Sequence, residues 1–150
     1  MELFINWRDE FLLGIDDVDN QHLVLARALN QLVQACHDYS ESEGGDKERQ
    51  RQLLSELMDT LYNSTREHFR FEEALMKKDM YPGYANHARE HAMLLAELKS
   101  TFAGRLESDG CYMDPDILKA LKSWFIGHVS HSDRAFADYL ATRRVIEEEG

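Results

Sequence analysis

His87 and His91 stand four residues apart in this chain, and so do His68 and Glu72. On an α-helix each residue turns about 100°, so positions i and i+4 stack on one face. Both pairs lie in stretches of helical hydrophobic period, on the face that also carries the apolar residues. Histidines and a carboxylate are therefore directed inward, where each must find a partner. That demand constrains the fold more than any other feature of the sequence.

Four such stretches can be traced. Between about 19 and 39, Leu25, Ala28, Leu29, Leu32, Val33 and Cys36 recur at helical spacing, with Asp19 as the expected N-cap. The second, about 47–78, aligns Leu54, Leu57, Leu61, His68, Phe69 and Glu72, behind Asp46 as a cap. The third, about 84–106, carries His87, His91, Leu94, Leu95 and Leu98. The fourth, about 116–144, carries Leu121, Trp124, Phe125, His128, Val129 and Phe136, with Asp114 as N-cap and Pro115 at the first helical position. Polar, Gly-rich or Pro-containing segments around 40–46, 79–83 and 108–115 separate them. Residues 1–18 read as an arm packed on the domain, and the tail after Arg144 as frayed. Strand alternation is absent. The expectation is an all-α, up-down-up-down four-helix bundle with an N-terminal arm, one domain spanning residues 1–150.

Charge narrows the partners. Asp and Glu total 28 against 17 Lys and Arg, a formal net charge of -11. Nucleic acid and anionic membrane surfaces both select basic residues, so neither is expected. No run reaches the roughly 18 apolar residues of a membrane span. The opening residues lack the pattern of a signal peptide. Cys36 and Cys111 form no CxxC pair and read as two reduced thiols. A soluble, cytoplasmic monomer is expected.

The inward polar groups point to metal. His22 opens the first helix, His68 and Glu72 lie on the second, His87 and His91 on the third, and His128 on the fourth. A polar group buried without a partner costs a few kcal/mol, and several together would exceed the stability of such a domain. Metal ions satisfy them at once through imidazole and carboxylate lone pairs. Donors of this kind, without thiolate, suit iron, manganese or zinc. As many as seven of them exceed what one ion takes, which implies two ions bridged by carboxylates. The Glu-x-x-His motif of ferritin-like di-iron bundles is absent, since no Glu stands three residues before any His. Spacing leaves the companion of His128 open. Asp133 lies about 140° around a regular helix from it, whereas His131, at i+3, has the better geometry.

The motifs together resemble those of the bacterial hemerythrins over essentially the whole chain. Ile5-Asn6-Trp7, Gly14-Ile15 and Asp19-Asn20-Gln21-His22 are similar to that family's N-terminal signature. His68-Phe69-Arg70-Phe71-Glu72-Glu73 resembles its HFxxEE segment, His87-Ala88-Arg89-Glu90-His91 its HxxxH, and His128 through Asp133 its HxxxxD. The resemblance implies two non-haem irons, joined by an oxo or hydroxo bridge and by Glu72 and Asp133. His87, His91 and His128 would complete one iron, and His22 and His68 the other. O2 would bind end-on at the open position of the second. The resemblance also selects Asp133 over His131, which a local π-bulge would accommodate.

Leu25, Phe69, Leu94, Trp124, Phe125 and Val129 lie near these positions and would line the ligand pocket, although each also fits ordinary bundle core. Phe125 departs from the smaller aliphatic residue that many members carry there. Glu90, just before His91, could approach the site but reads as part of a solvated helix face; His37 reads as a partner of the helix C-terminus or exposed, and His131 as a surface residue or one behind the ligands. The resemblance implies reversible O2 binding for carriage, storage or sensing, without catalysis. The alternatives are a redox-active di-iron enzyme acting on peroxide or nitric oxide, and an iron- or oxygen-responsive interaction module.

Overall fold

The computed structural model describes residues 4–103 and 115–149. Four helical rods account for most of them, and no strand occurs among the described residues. Helix α1 spans Asp16–Glu41, α2 Gly45–Lys78 and α3 Tyr84–Glu97, which continues into a π-helical turn at Leu98–Ala103. The fourth rod is continuous: α4 (Pro115–Gly127), a π-helical turn (His128–Asp133) and α5 (Arg134–Glu149). Pro115 takes the first helical position, as expected. Asp114 and the end foreseen for the third helix near residue 106 lie outside the described residues.

Short links at 42–44 and 79–83 make consecutive rods antiparallel. Accordingly, the start of α1 (His22) lies beside the end of α2 (His68 and Glu72) and the start of α3 (His87 and His91). Apolar layers close both sides of this level. Leu29, Leu32, Leu61, Leu98 and Leu121 fill one side, and Val18, Met76 and Phe136 the other, all buried.

Several local readings change. Helix α1 begins at Asp16, with Ile15 in the cap position. Asp16, Asp17 and Asp19 place three carboxylates at the positive end of its dipole. Asp19 is therefore inside the helix, and its carboxylate reaches back to accept from the Leu13 and Gly14 amides at 2.8 and 3.1 Å. Gly14 has φ 85°, a left-handed conformation that folds the arm back toward Asp19. Asp46 likewise lies within the first turn of α2, which Gly44 precedes. The C-terminal tail is helical through Glu149. Cys36 is disulfide-bonded, not the reduced thiol expected: the lack of a CxxC pair does not exclude a bond. Cys111 lies outside the described residues.

The arm is tied down at separate points. Asn30 accepts from the Ile5 amide (2.6 Å) and donates to its carbonyl (2.9 Å). Arg134 donates to the carbonyls of Glu10 and Leu12 at 2.9 and 3.0 Å. Between these ties, the Trp7 ring lies 6.3 Å from that of His22 and 6.2 Å from that of Phe125.

Candidate metal centre

All four rods contribute to one buried cluster. His22 comes from α1, His68 and Glu72 from α2, His87 and His91 from α3, and His128 and Asp133 from the two ends of the second π-turn. All seven are buried, and Glu72 and Asp133 have no solvent exposure. The π-turn solves the register problem of the fourth rod. Its wider i→i+5 turn brings Asp133 back to the face of His128, and leaves His131 exposed.

The two carboxylates divide the cluster. Glu72 Oε1 lies 2.7 Å from His87 Nε2 and 3.3 Å from His91 Nε2. Its Oε2 lies 3.3 Å from His68 Nε2 and 4.0 Å from His22 Nε2. Asp133 Oδ1 lies 2.9 Å from the Nε2 atoms of both His87 and His128, while Oδ2 lies 2.9 Å from His22 Nε2. Each carboxylate thus turns one oxygen toward a three-histidine group and the other toward a two-histidine group. Within each group the donor atoms lie within 4.8 Å of one another.

These atoms converge without satisfying one another. Nε2 of His22, His68 and His87 and all four carboxylate oxygens are buried with no hydrogen bond. Lone pairs aimed at common points and left unmatched fit cations of the kind that take imidazole and carboxylate. The carboxylates' charge registers on the imidazoles around them. Burial resists charging of His128, yet Asp133 and Glu90 outweigh it and raise its pKa to about 10. His87 is raised in the same way, against burial, to about 9 by Asp133 and Glu72. Burial opposes the charge of Asp133 too, but its contacts with His128, His22 and His87 hold it well below the usual carboxylate range.

The outer ring nitrogens are also held. His68 Nδ1 donates to Gln21 Oε1 (2.6 Å), His91 Nδ1 to Glu73 Oε2 (2.9 Å) and His128 Nδ1 to Glu90 Oε1 (3.0 Å). Each bond orients its ring and, in the neutral imidazole, would fix the tautomer that presents the Nε2 lone pair to a metal. Glu90 also accepts from Ser132 Oγ, and His128 draws its pKa down to about 2. Glu90, read as a solvated residue, is only partly so: its side chain is 38% exposed, and its carboxylate binds His128 and Ser132. Sequence reasoning missed Gln21 and Glu73 as supports. Gln21, Glu73 and Glu90 each adjoin a cluster residue in the chain, and one helical step turns each toward the neighbouring rod.

Beside the two-histidine group lies a small cavity of about 10 Å³. Leu25, Phe69, Leu94, Trp124, Phe125 and Val129, the expected pocket residues, all line it, together with His22, His68, His128 and Thr65. Phe69 stacks on His91 with ring centres 3.8 Å apart, and Phe125 sets its edge against His22 at 6.3 Å. The polar groups of this wall are committed elsewhere. Thr65 Oγ1 donates to the Leu61 carbonyl (2.7 Å) and Trp124 Nε1 to the Leu94 carbonyl (2.9 Å).

A four-helix bundle that encloses five imidazoles and two carboxylates in this way belongs to the metal-binding bundles. Comparison with known proteins narrows the class: residues 13–140 match the hemerythrin HHE cation binding domain, and the chain belongs to the hemerythrin family. It is 32% identical to the bacteriohemerythrin of Stenotrophomonas maltophilia, over 88% of this chain and 78% of that protein. With the bacteriohemerythrin of Methylococcus capsulatus it shares 28% identity over 88% and 92% of the two chains. With the myohemerythrin of Riftia pachyptila the identity is 24%, over 85% and 86%.

Proposed function

We propose that the chain holds two non-haem irons and binds O2 reversibly, for carriage, storage or sensing, without catalytic turnover. His87, His91 and His128 would serve one iron and His22 and His68 the other, with Glu72 and Asp133 across both and an oxo or hydroxo bridge between. A diferrous pair, when bound, supplies the two electrons that O2 binding draws on. The observation that carries this reading is the unequal division of donors. Two carboxylate oxygens and three imidazoles face one point, while two oxygens and two imidazoles face the other. The apolar cavity adjoins the poorer side.

The chain's own contribution is to position and to exclude. Gln21, Glu73 and Glu90 aim the imidazoles. Leu25, Phe69, Phe125 and Val129 keep water from the open side. With Thr65 and Trp124 bonded to backbone carbonyls, and His22, His68 and His128 engaged at the metals, the described wall residues would offer no acid to deliver a proton. Glu73 and Glu90 stand behind the histidines, away from the cavity, which favours binding over peroxide or nitric oxide chemistry.

Residues 1–150 would work as one domain and as a monomer. The net charge of -11 disfavours nucleic acid as a partner. No helix among the described residues is long and apolar enough to cross a membrane. We place the protein in the cytoplasm, where reductant can maintain a diferrous pair. The bonded state of Cys36 weighs against that compartment, and thiol labelling in intact cells decides between them.

The test is to reduce the iron-loaded protein anaerobically, admit O2, then remove it under vacuum. Repeated appearance and loss of one visible band is expected. Immediate, irreversible conversion to the diferric form overturns the proposal.

A further inference from the structure

A second and larger hollow, about 450 Å³, opens at the surface between α1 and α2. Gln21 and Val24 of α1 and Ser64, Glu67 and Phe71 of α2 form much of its wall. Two residues belong to both this groove and the small inner cavity: Leu25 and His68. They are the partition between solvent and the open side of the two-histidine group.

The two halves of the partition differ in freedom. His68 is held through Nδ1 by Gln21 at 2.6 Å and faces Glu72 through Nε2 at 3.3 Å. Turning its ring would dismantle the cluster. Leu25 is apolar, 3% exposed, and has no directional bond from its side chain. A change of rotamer is the ordinary motion of such a side chain. Bulky pinned groups close other walls. Trp124 is bonded to the Leu94 carbonyl, Phe69 is stacked on His91, and Phe125 packs against the rings of both Trp7 and His22.

We propose that small uncharged ligands enter by the α1–α2 groove and that Leu25 is the gate between groove and cavity. The proposal deepens the reading of the centre as an O2 site, and its test separates the two. Trp7 and Trp124 are the only tryptophans, and Trp124 lines the cavity. In a Trp7→Phe background loaded with zinc, quenching of Trp124 fluorescence by O2 under pressure measures entry without any iron chemistry. Leu25→Ala is expected to raise the quenching constant severalfold and Leu25→Phe to lower it. Leu57→Ala, on α2 but lining neither hollow, should leave it near the parent value. Leu25→Val, a smaller change, covers the case in which the alanine variant does not fold. No change in the Leu25 variants, or an equal rise from Leu57→Ala, overturns the gate. Gated quenching in a chain that fails to bind O2 reversibly with iron would leave the gate intact and remove the O2 reading alone.

Discussion

Glu72 and Asp133 are set so that His87 Nε2 lies between them, 2.7 Å from Oε1 of the first and 2.9 Å from Oδ1 of the second. Their remaining oxygens turn to the opposite side, where His22 and His68 wait. No pairing of the two carboxylates through hydrogen bonds explains this arrangement, because all four oxygens are unsatisfied. Two buried, ionised carboxylates side by side are costly unless cations lie between them.

Loss of either carboxylate should therefore remove a bridge, not merely one donor. Glu72→Ala or Asp133→Ala is expected to lower iron from two ions per chain to one or fewer, read by metal analysis after gel filtration. Helix content by circular dichroism shows whether the bundle survives. Two irons retained per folded chain would contradict the bridging assignment.

Glu90 should act through His128. A carboxylate behind a ligating imidazole fixes its orientation and raises its basicity, and losing such a partner typically costs 10–100-fold in metal affinity. Glu90→Ala should weaken metal binding by about that range in a chelator competition. Glu90→Gln, which keeps an acceptor for Nδ1–H, should recover much of the loss. Equal affinity in all three proteins would return Glu90 to the solvent-facing role expected from sequence.

Metal uptake should release protons. With His87 raised to about 9 and His128 to about 10, both are charged at pH 7 before metal binds. Loading then expels about two protons and weakens as pH falls. Because both values exceed the ordinary 6.5, their contribution to the fold of the unloaded chain is full below that pH. It is lost progressively as pH rises through 9 and 10. Titration in buffers of different ionisation enthalpy measures the release, and the absence of proton release at pH 7 would contradict this electrostatic description.

The rods were legible because a 3.6-residue period repeats over many turns, and the histidines were legible because i, i+4 spacing survives wherever the helix is regular. Asp133 was not legible from spacing, since its place depends on a π-turn that sequence period does not announce. Only the likeness to a family pointed to it. Asp19 misled for a different reason: an aspartate at a helix start is a good N-cap, but Gly14 folds the arm so that the carboxylate serves Leu13 and Gly14 instead. Gln21 and Glu73 escaped, and Glu90 was read as mainly solvated, because their partners sit on neighbouring rods, and only packing reveals a contact between rods.

The central claim is two metal positions with unequal donor sets. Anomalous diffraction at the iron edge from crystals of the iron-loaded protein locates them directly. Two peaks are predicted. One lies among Glu72 Oε1, Asp133 Oδ1, His87, His91 and His128, and the other among Glu72 Oε2, Asp133 Oδ2, His22 and His68. A single peak, or a second one away from His22 and His68, would contradict the account.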